Sequence, residues 1–465
     1  MKSQRYDLAV IGSGPAGQKA AIAAAKLGKR TVVIDRAAML GGASLHKGTI
    51  PSKTLRESVL HLTGLKHRAF FGRNYMTKAQ IRVEDLMERV GQVTREGRTV
   101  IRDQFNRNRV QVVDGLAQFS DPHTLKVNDG EKSVMIEADH ILVACGTRPY
   151  RPDHVPFQPK RVTDSDDIAE AVAGELPRSA IVVGAGVIGI EYASMMAALG
   201  VKVTVIDGRD TLLGYVDAEI TEALSYNLRH NGVIFRLGEM VDSIEVKDNA
   251  SVVAFLGSGK NISAERLLFA AGRQPNTDNL NLEAAGLETD KRGRLKVNEN
   301  FQTLAPHIYA AGDVIGAPAL ASTALEQGRL ASCHMFGIPF NHVPELLPFG
   351  IYSIPEISFV GRNEQQLTEQ KIPYEVGVAR FEEVARAQIV GDRVGMLKLL
   401  FDPKSLELFG VHILGESAAE LVHIGLAIMV AGGTIEALRD TVFNYPTMAE
   451  VYKVAAINGL NKLTC

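Results

Sequence analysis

The chain has 465 residues, 46% of them hydrophobic and 22% charged, with 51 Lys and Arg against 53 Asp and Glu. That length predicts about three domains at about 100–200 residues each, and the apolar fraction excludes a disordered chain or a disulfide-stapled miniprotein. A formal charge of −2 excludes a dedicated nucleic-acid binder, because neutralising phosphates needs a net basic face. The three cysteines, Cys145, Cys333 and Cys465, are far apart and form no CxxC. They give no zinc ribbon or redox pair of neighbours, and an odd, sparse set fits a reducing cytosol. No His, Cys or carboxylate group shows metal-site spacing along the chain, so no metal is expected.

The segment Met1–Gly28 has an early Lys2 and Arg5, but Gly12, Gly14, Pro15 and Gln18 interrupt any apolar run of the signal-peptide kind. Leu8–Ile11 reads as a buried parallel strand, Gly12-Ser13-Gly14-Pro15-Ala16-Gly17 as a tight turn, Ala20–Leu27 as a helix and Thr31–Ile34 as a second strand ending at Asp35. Gly12 permits the turn, Gly14 lets backbone approach a pyrophosphate, and Gly17 lets the helix sit close to the sheet. The helix N-terminus offers free N–H groups to phosphate. Asp35 stands 18 residues past Gly17, placed to accept from ribose hydroxyls.

The same unit recurs. A strand Ala180–Val183 leads into Gly184-Ala185-Gly186-Val187-Ile188-Gly189, a helix from about Ile190 to Leu199, and a strand Val201–Ile206 ending at Asp207, again 18 residues past the last glycine. Two such units imply two dinucleotide sites, one for a tightly held flavin and one for an exchangeable nicotinamide. Asp207 favours a ribose 2′-OH, while Arg209, two residues on, suits a 2′-phosphate, so one site is expected to serve NAD and NADP in turn. Neither Ser179–Ile190 nor Leu421–Gly433 approaches the roughly 20 apolar residues of a membrane span. A soluble, cytoplasmic protein is expected.

Further segments resemble the two-dinucleotide flavoprotein disulfide reductases, in order and over nearly the whole chain. Gly41-Gly42-Ala43-Ser44-Leu45-His46-Lys47-Gly48-Thr49-Ile50-Pro51-Ser52-Lys53 is similar to that family's redox-active segment, and Ala144-Cys145-Gly146-Thr147 to its strand-end motif. Thr303 through Tyr309-Ala310-Ala311-Gly312-Asp313 is similar to its second flavin motif, and Pro446-Thr447 with Glu450 to its interface active-site segment. The resemblance implies an α/β fold with two Rossmann-like FAD- and NAD(P)-binding domains and a C-terminal α+β dimerisation domain. Its expected divisions are 1–150 and 272–345 for FAD, 151–271 for the nicotinamide, and 346–465 for the homodimer interface. In that last region strands are expected at Gly395–Phe401 and Leu408–Leu414 and helices near Ser417–Ala431 and Thr447–Asn458, with His423 on an apolar helix face as a packed or hydrogen-bonded interface histidine rather than a ligand.

The departures from the family pattern decide the expected chemistry. Its two redox cysteines are replaced by Ser44 and Thr49, and the histidine before Pro446 by Tyr445. A phenol, with a pKa near about 10, is a poor base at neutral pH. The resemblance retains Lys53, beside the flavin, and Glu191, its partner on the nicotinamide side. It implies flavin contacts at Gly12, Gly14, Gly17, Asp35, Arg36, Gly41, Gly42, Ala43, Ser44, Lys53, Ala117, Gly146, Asp313, Leu320 and Ala321. Nicotinamide contacts are implied at Gly184, Gly186, Ile188, Gly189, Asp207, Arg209 and Gly272. A flavin that takes hydride with no disulfide to reduce must pass it elsewhere. The segments Gly350–Ile357, Ala385–Gly391 and Phe443–Glu450 are similar to the branch of the family that moves hydride between nicotinamides. The expected reaction is therefore NADPH + NAD⁺ giving NADP⁺ + NADH by a ping-pong cycle through FAD. An NAD(P)H oxidase or diaphorase and a non-catalytic FAD-binding subunit are the alternatives.

Overall fold

The computed structural model describes residues 4–65, 77–78, 81–167, 175–247, 251–340 and 343–463, so Cys465 lies outside the described residues. The first sheet has seven strands. Gln4–Ile11 is flanked by Thr31–Asp35 on one side and Ser133–Val143 on the other, both parallel to it. Gln111–Asp114 extends the first side, and Ile308–Ala310 returns from far along the chain to pair with Ser133–Val143. The apolar runs of Leu8–Ile11 and Val32–Ile34 are buried on both faces, as expected of parallel strands under helices. The chain order reverses beside Gln4–Ile11, which opens a crevice at the carboxyl ends of its strands.

A second sheet of five parallel strands runs Ile234–Leu237, Lys202–Asp207, Ser179–Val183, Arg266–Phe269, Val162–Asp164. An antiparallel pair, Thr147–Pro149 with Arg273–Pro275, carries the chain between the two sheets. The third large sheet, antiparallel, runs Phe349–Ile351, Ile357–Gly361, Leu408–Leu414, Met396–Phe401, Glu375–Arg380. Helices Ala418–Val430 and Glu450–Asn461 cover it. Strand Met396–Phe401 starts one residue after the expected Gly395, and Leu408–Leu414 lies where expected.

Both fingerprint helices begin earlier than the sequence suggested. They run Pro15–Lys26 and Val187–Ala198, so Gly17 and Gly189 lie inside their first turns. The reason is close packing. A Cβ on Gly17 would lie 2.0 Å from the Gly12 carbonyl oxygen, and one on Gly189 would lie 1.9 Å from that of Gly184. Helix propensity gives way there to contact with the strand end.

Lys398 ties the second sheet's layer to the C-terminal one. Its side chain is fully buried on strand Met396–Phe401, and its ammonium pairs with Asp217 at 2.9 Å, Glu219 at 3.0 Å and Glu364. Asp217 also caps helix Ala218–His230 by accepting from the Glu219 N–H. Folding thus brings Glu364 to the neighbouring Asp217 and Glu219, and the cation among the three carboxylates is the chain's own. Burial raises the Asp217 carboxyl, but His412, Lys398 and the Glu364 N–H outweigh it and hold the group below the ordinary carboxylate range. A depressed folded-state value gives stability present above the unfolded value and lost as pH falls through the folded one. Lys398→Met, which strands a buried charge, should cost about 3–5 kcal/mol of unfolding free energy in urea titrations. Adding Asp217→Asn should recover part of that loss, whereas a single variant as stable as the parent would contradict the assignment.

Candidate functional site

The crevice is built first from backbone. Gly14 and Gly186 precede the two fingerprint helices, with φ −65°, ψ −177° and φ −81°, ψ −175°. Any residue can adopt that extended geometry, so conformation does not require glycine. Steric contact does not require it either, since a Cβ at Gly14 or at Gly186 would meet no atom within 4 Å. What a side chain would obstruct at both places is the open approach to an uncapped helix N-terminus. Neither helix has a side-chain cap, and their first N–H groups carry the positive end of the helix dipole. The structure thus offers two matching phosphate cradles, one at the parallel strands of each of the first two sheets.

Each cradle has its carboxylate. Asp35 Oδ2 accepts from Ser13 N at 2.7 Å and Ser13 Oγ at 2.6 Å, while Oδ1 accepts from Arg36 N at 2.8 Å. It fixes the glycine turn. Asp207 does the same for Ala185 N, at 2.6 Å. It also takes a bidentate pair from Arg209, Nε at 2.9 Å and the terminal nitrogen at 2.7 Å. The sequence suggested separate roles for Asp207 and Arg209; the structure joins them as one ion pair. Burial raises the Asp207 carboxyl, but Arg209 and the Ala185 N–H outweigh it and hold the group below the ordinary carboxylate range.

The other segments read from the sequence also gather here. Gly42 packs against Gly14, so closely that a Cβ on Gly42 would lie 2.7 Å from the Gly14 Cα. Gly41, Ala43 and Ser44 continue that corner, with Ser44 Oγ donating to the Gly41 carbonyl at 3.2 Å. Gly115, two residues before Ala117, donates to the Asp35 carbonyl. Leu320 and Ala321 open helix Ala321–Met335, which packs on Pro15–Lys26. Asp313 accepts from Thr147 Oγ1 at 3.3 Å, and that hydroxyl in turn accepts from Arg273 Nε at 2.9 Å. Burial raises the Asp313 carboxyl, against the pull of Arg273. Gly146 and Gly272 have φ +64° and +120°, and each leads into one strand of the connecting pair.

Between the cradles lies the pair the sequence singled out. Lys53, on helix Thr49–Leu62, donates to both carboxylate oxygens of Glu191 at 2.8 Å. The Glu191 side chain is 4% exposed and that of Lys53 26%, so the pair is shielded but open on the lysine side. Sequence reasoning missed what holds it. Tyr352 N donates to Glu191 Oε1 at 2.9 Å, and the Lys53 ammonium lies 4.8 Å from the Tyr352 ring centre. Arg56, fully buried one turn beyond Lys53, donates to the Ser353 carbonyl at 3.0 Å and pairs with Glu356 at 3.0 Å. The segment Gly350–Ile357 holds this contact, though nothing in its sequence marks Tyr352 as a neighbour of Lys53.

The thiol-handling positions offer no electron acceptor. Thr49 is exposed at the start of its helix. The Cys145 thiol is pushed up to about 12, burial being the main cause. Tyr445 is 69% exposed, and Glu450 keeps one buried carboxylate oxygen without a partner among the described residues. No helix among the described residues is long and apolar enough to cross a membrane.

Residues 6–328 match the pyridine nucleotide-disulphide oxidoreductase family, and residues 347–456 its dimerisation domain. A soluble pyridine nucleotide transhydrogenase of Mycobacterium bovis is 54% identical, over 99% of this chain and 98% of that one. One from a Marinomonas strain is 46% identical over the full length of both. Among solved structures, LpdA of Mycobacterium tuberculosis superposes with a TM-score of 0.89 at 28% identity, covering 98% of this chain and 99% of that one. The HOCl-induced flavoprotein disulfide reductase RclA of Escherichia coli, as its Cu(II) complex, superposes with a TM-score of 0.88 at 28% identity, with the same coverage.

The two kinds of fingerprint glycine should separate by experiment. Gly189→Ala forces a Cβ onto backbone and should destabilise the fold by about 1–3 kcal/mol or more. Gly186→Ala should melt with the parent while raising the Michaelis constants for nicotinamide dinucleotides on the order of tenfold to a hundredfold. Equal melting losses in both variants would contradict the distinction.

Proposed function

The chain belongs to the pyridine nucleotide-disulphide oxidoreductase family, and from that premise we propose an FAD-dependent transhydrogenase that carries hydride from NADPH to NAD⁺. The two nicotinamides use one site in turn. The carrying observation is the Lys53–Glu191 pair, intact at 2.8 Å, in a chain whose redox-cysteine positions hold Ser44 and Thr49. The names of its full-length relatives favour this reading over the oxidase and structural-subunit alternatives.

The open faces at Gly14 and Gly186 suit the pyrophosphates of FAD and of the nicotinamide, with Asp35 and Asp207 at the ribose positions. FAD, when bound, supplies reversible hydride acceptance. Lys53 supplies a fixed positive charge where added negative charge has to be stabilised, and Glu191 keeps that ammonium oriented. Ser44 and Thr49 can form no disulfide, and the free Cys145 thiol is already reduced, so neither takes electrons from the flavin. Hydride is therefore left to depart as it came, to a second nicotinamide. Arg209 serves NADPH by turning from Asp207 to the 2′-phosphate; when NAD⁺ follows, it turns back, and Asp207 takes the 2′-OH.

This reading includes the division into 1–150 and 272–345 for FAD, 151–271 for the nicotinamide and 346–465 for the interface. It also includes a cytoplasmic homodimer. The dimerisation-domain match supports the dimer, as do Val430, Val442 and Tyr445, exposed by 67%, 89% and 69% in the C-terminal region.

The test is anaerobic transfer from NADPH to thio-NAD⁺, with lipoamide and glutathione disulfide as control acceptors. Thio-NADH should form while both disulfides stay inert; absence of thio-NADH would overturn the reading. Arg209→Ala should raise the Michaelis constant for NADPH roughly tenfold or more, as expected for loss of a charge-assisted phosphate contact, and leave that for NADH nearly unchanged. Equal effects on both would refute the specificity role.

A further inference from the structure

Lys53 and Glu191 sit on different helices, Thr49–Leu62 and Val187–Ala198, each belonging to a different dinucleotide unit. A pair spanning two units needs something to fix its register. The C-terminal sheet supplies it through one short segment after strand Phe349–Ile351. Tyr352 N donates to Glu191 Oε1 at 2.9 Å, and Ile354 N to Ser194 Oγ at 3.1 Å, one turn along the Glu191 helix. The Ser353 carbonyl takes Arg56 Nε at 3.0 Å, one turn along the Lys53 helix. Three consecutive residues thus hold both helices.

The middle of this brace is aromatic. The Lys53 ammonium lies 4.8 Å from the centre of the half-buried Tyr352 ring, well inside the range of a cation–π contact. The Tyr352 hydroxyl makes no hydrogen bond among the described residues, so the ring is what Lys53 meets. Gly350 is shaped to this ring: a Cβ there would lie 3.2 Å from its edge, and no positive φ otherwise calls for glycine. The chain leaves out a side chain so that the ring can fold back.

We propose that Tyr352 is a positioning residue for hydride transfer: its ring holds the Lys53 ammonium while its backbone N–H holds the Glu191 carboxylate, so the C-terminal domain sets the geometry of the pair between the cradles. The proposal rests on the transhydrogenase reading for what the pair does.

The experiment replaces Tyr352 by phenylalanine carrying a rising number of ring fluorines, which keeps shape and drains the ring's negative face. The readouts are anaerobic flavin bleaching by NADPH per bound flavin, the flavin midpoint potential, and the melting temperature. Tyr352→Phe should bleach within about twofold of the parent. The fully fluorinated ring should be slowed roughly tenfold, the scale of a desolvated cation–π contact. The potential should move to more negative values step by step, with melting unchanged, because a less firmly held ammonium stabilises added negative charge less. Gly350→Ala, which pushes the same ring from behind, should slow bleaching in the same direction. A flat series in rate and potential would overturn the proposal, as would a Gly350→Ala variant that bleaches like the parent. A parent protein that NADPH cannot bleach would instead refute the transhydrogenase reading itself.

Discussion

One ion pair sets the terms for the rest of the molecule. Lys53 and Glu191 meet at 2.8 Å in a place where the carboxylate is almost wholly shielded from water. Removing charges from water is costly, and an ion pair offsets that only with good geometry and further hydrogen bonds. The structure supplies them: two lysine–carboxylate contacts and a backbone N–H from Tyr352. Three parts of the chain converge on the pair. Arg56, buried between helix Thr49–Leu62 and the C-terminal sheet, keeps that convergence from loosening.

Around the pair, the chain repeats one solution twice. In each of the first two sheets a strand runs into a glycine turn, a helix with a free N-terminus, and a carboxylate that braces the turn from the next strand. The copies differ where their partners would differ. Ser13 hydrogen-bonds Asp35 through side chain and backbone, whereas Ala185 offers backbone only and Asp207 takes Arg209 instead. The tighter turn suits a cofactor that stays. The Asp207–Arg209 pair suits one that leaves, since its arginine is more than half exposed and can turn away.

What the sequence disclosed follows from how local each feature is. Both fingerprints, their strands and their acids lie within about 30 residues, the span of one βαβ unit, and could be read directly. The helices start at Pro15 and Val187, five and three residues before the expected Ala20 and Ile190, because the glycines read as close-packing residues lie inside the first turn itself. Only the nearby carbonyls of Gly12 and Gly184 explain them. Tyr352 and Lys398 were not found as partners at all. The first reaches Glu191 across 161 residues and the second reaches Asp217 across 181. Neither sits in a pattern that periodicity reveals. Lys398 looks like a break in an apolar strand until three carboxylates from other elements surround it. The loss of thiols at Ser44 and Thr49 was legible because a family resemblance gives those positions meaning; composition alone gives them none.

The central claim is that this site stores electrons only on its flavin. The most direct measurement is an anaerobic titration of the flavin-loaded protein with dithionite, counting equivalents to full reduction. The account predicts about two electrons per flavin, with no second phase. A requirement for about four, as a flavin plus a two-electron disulfide would take, would contradict it.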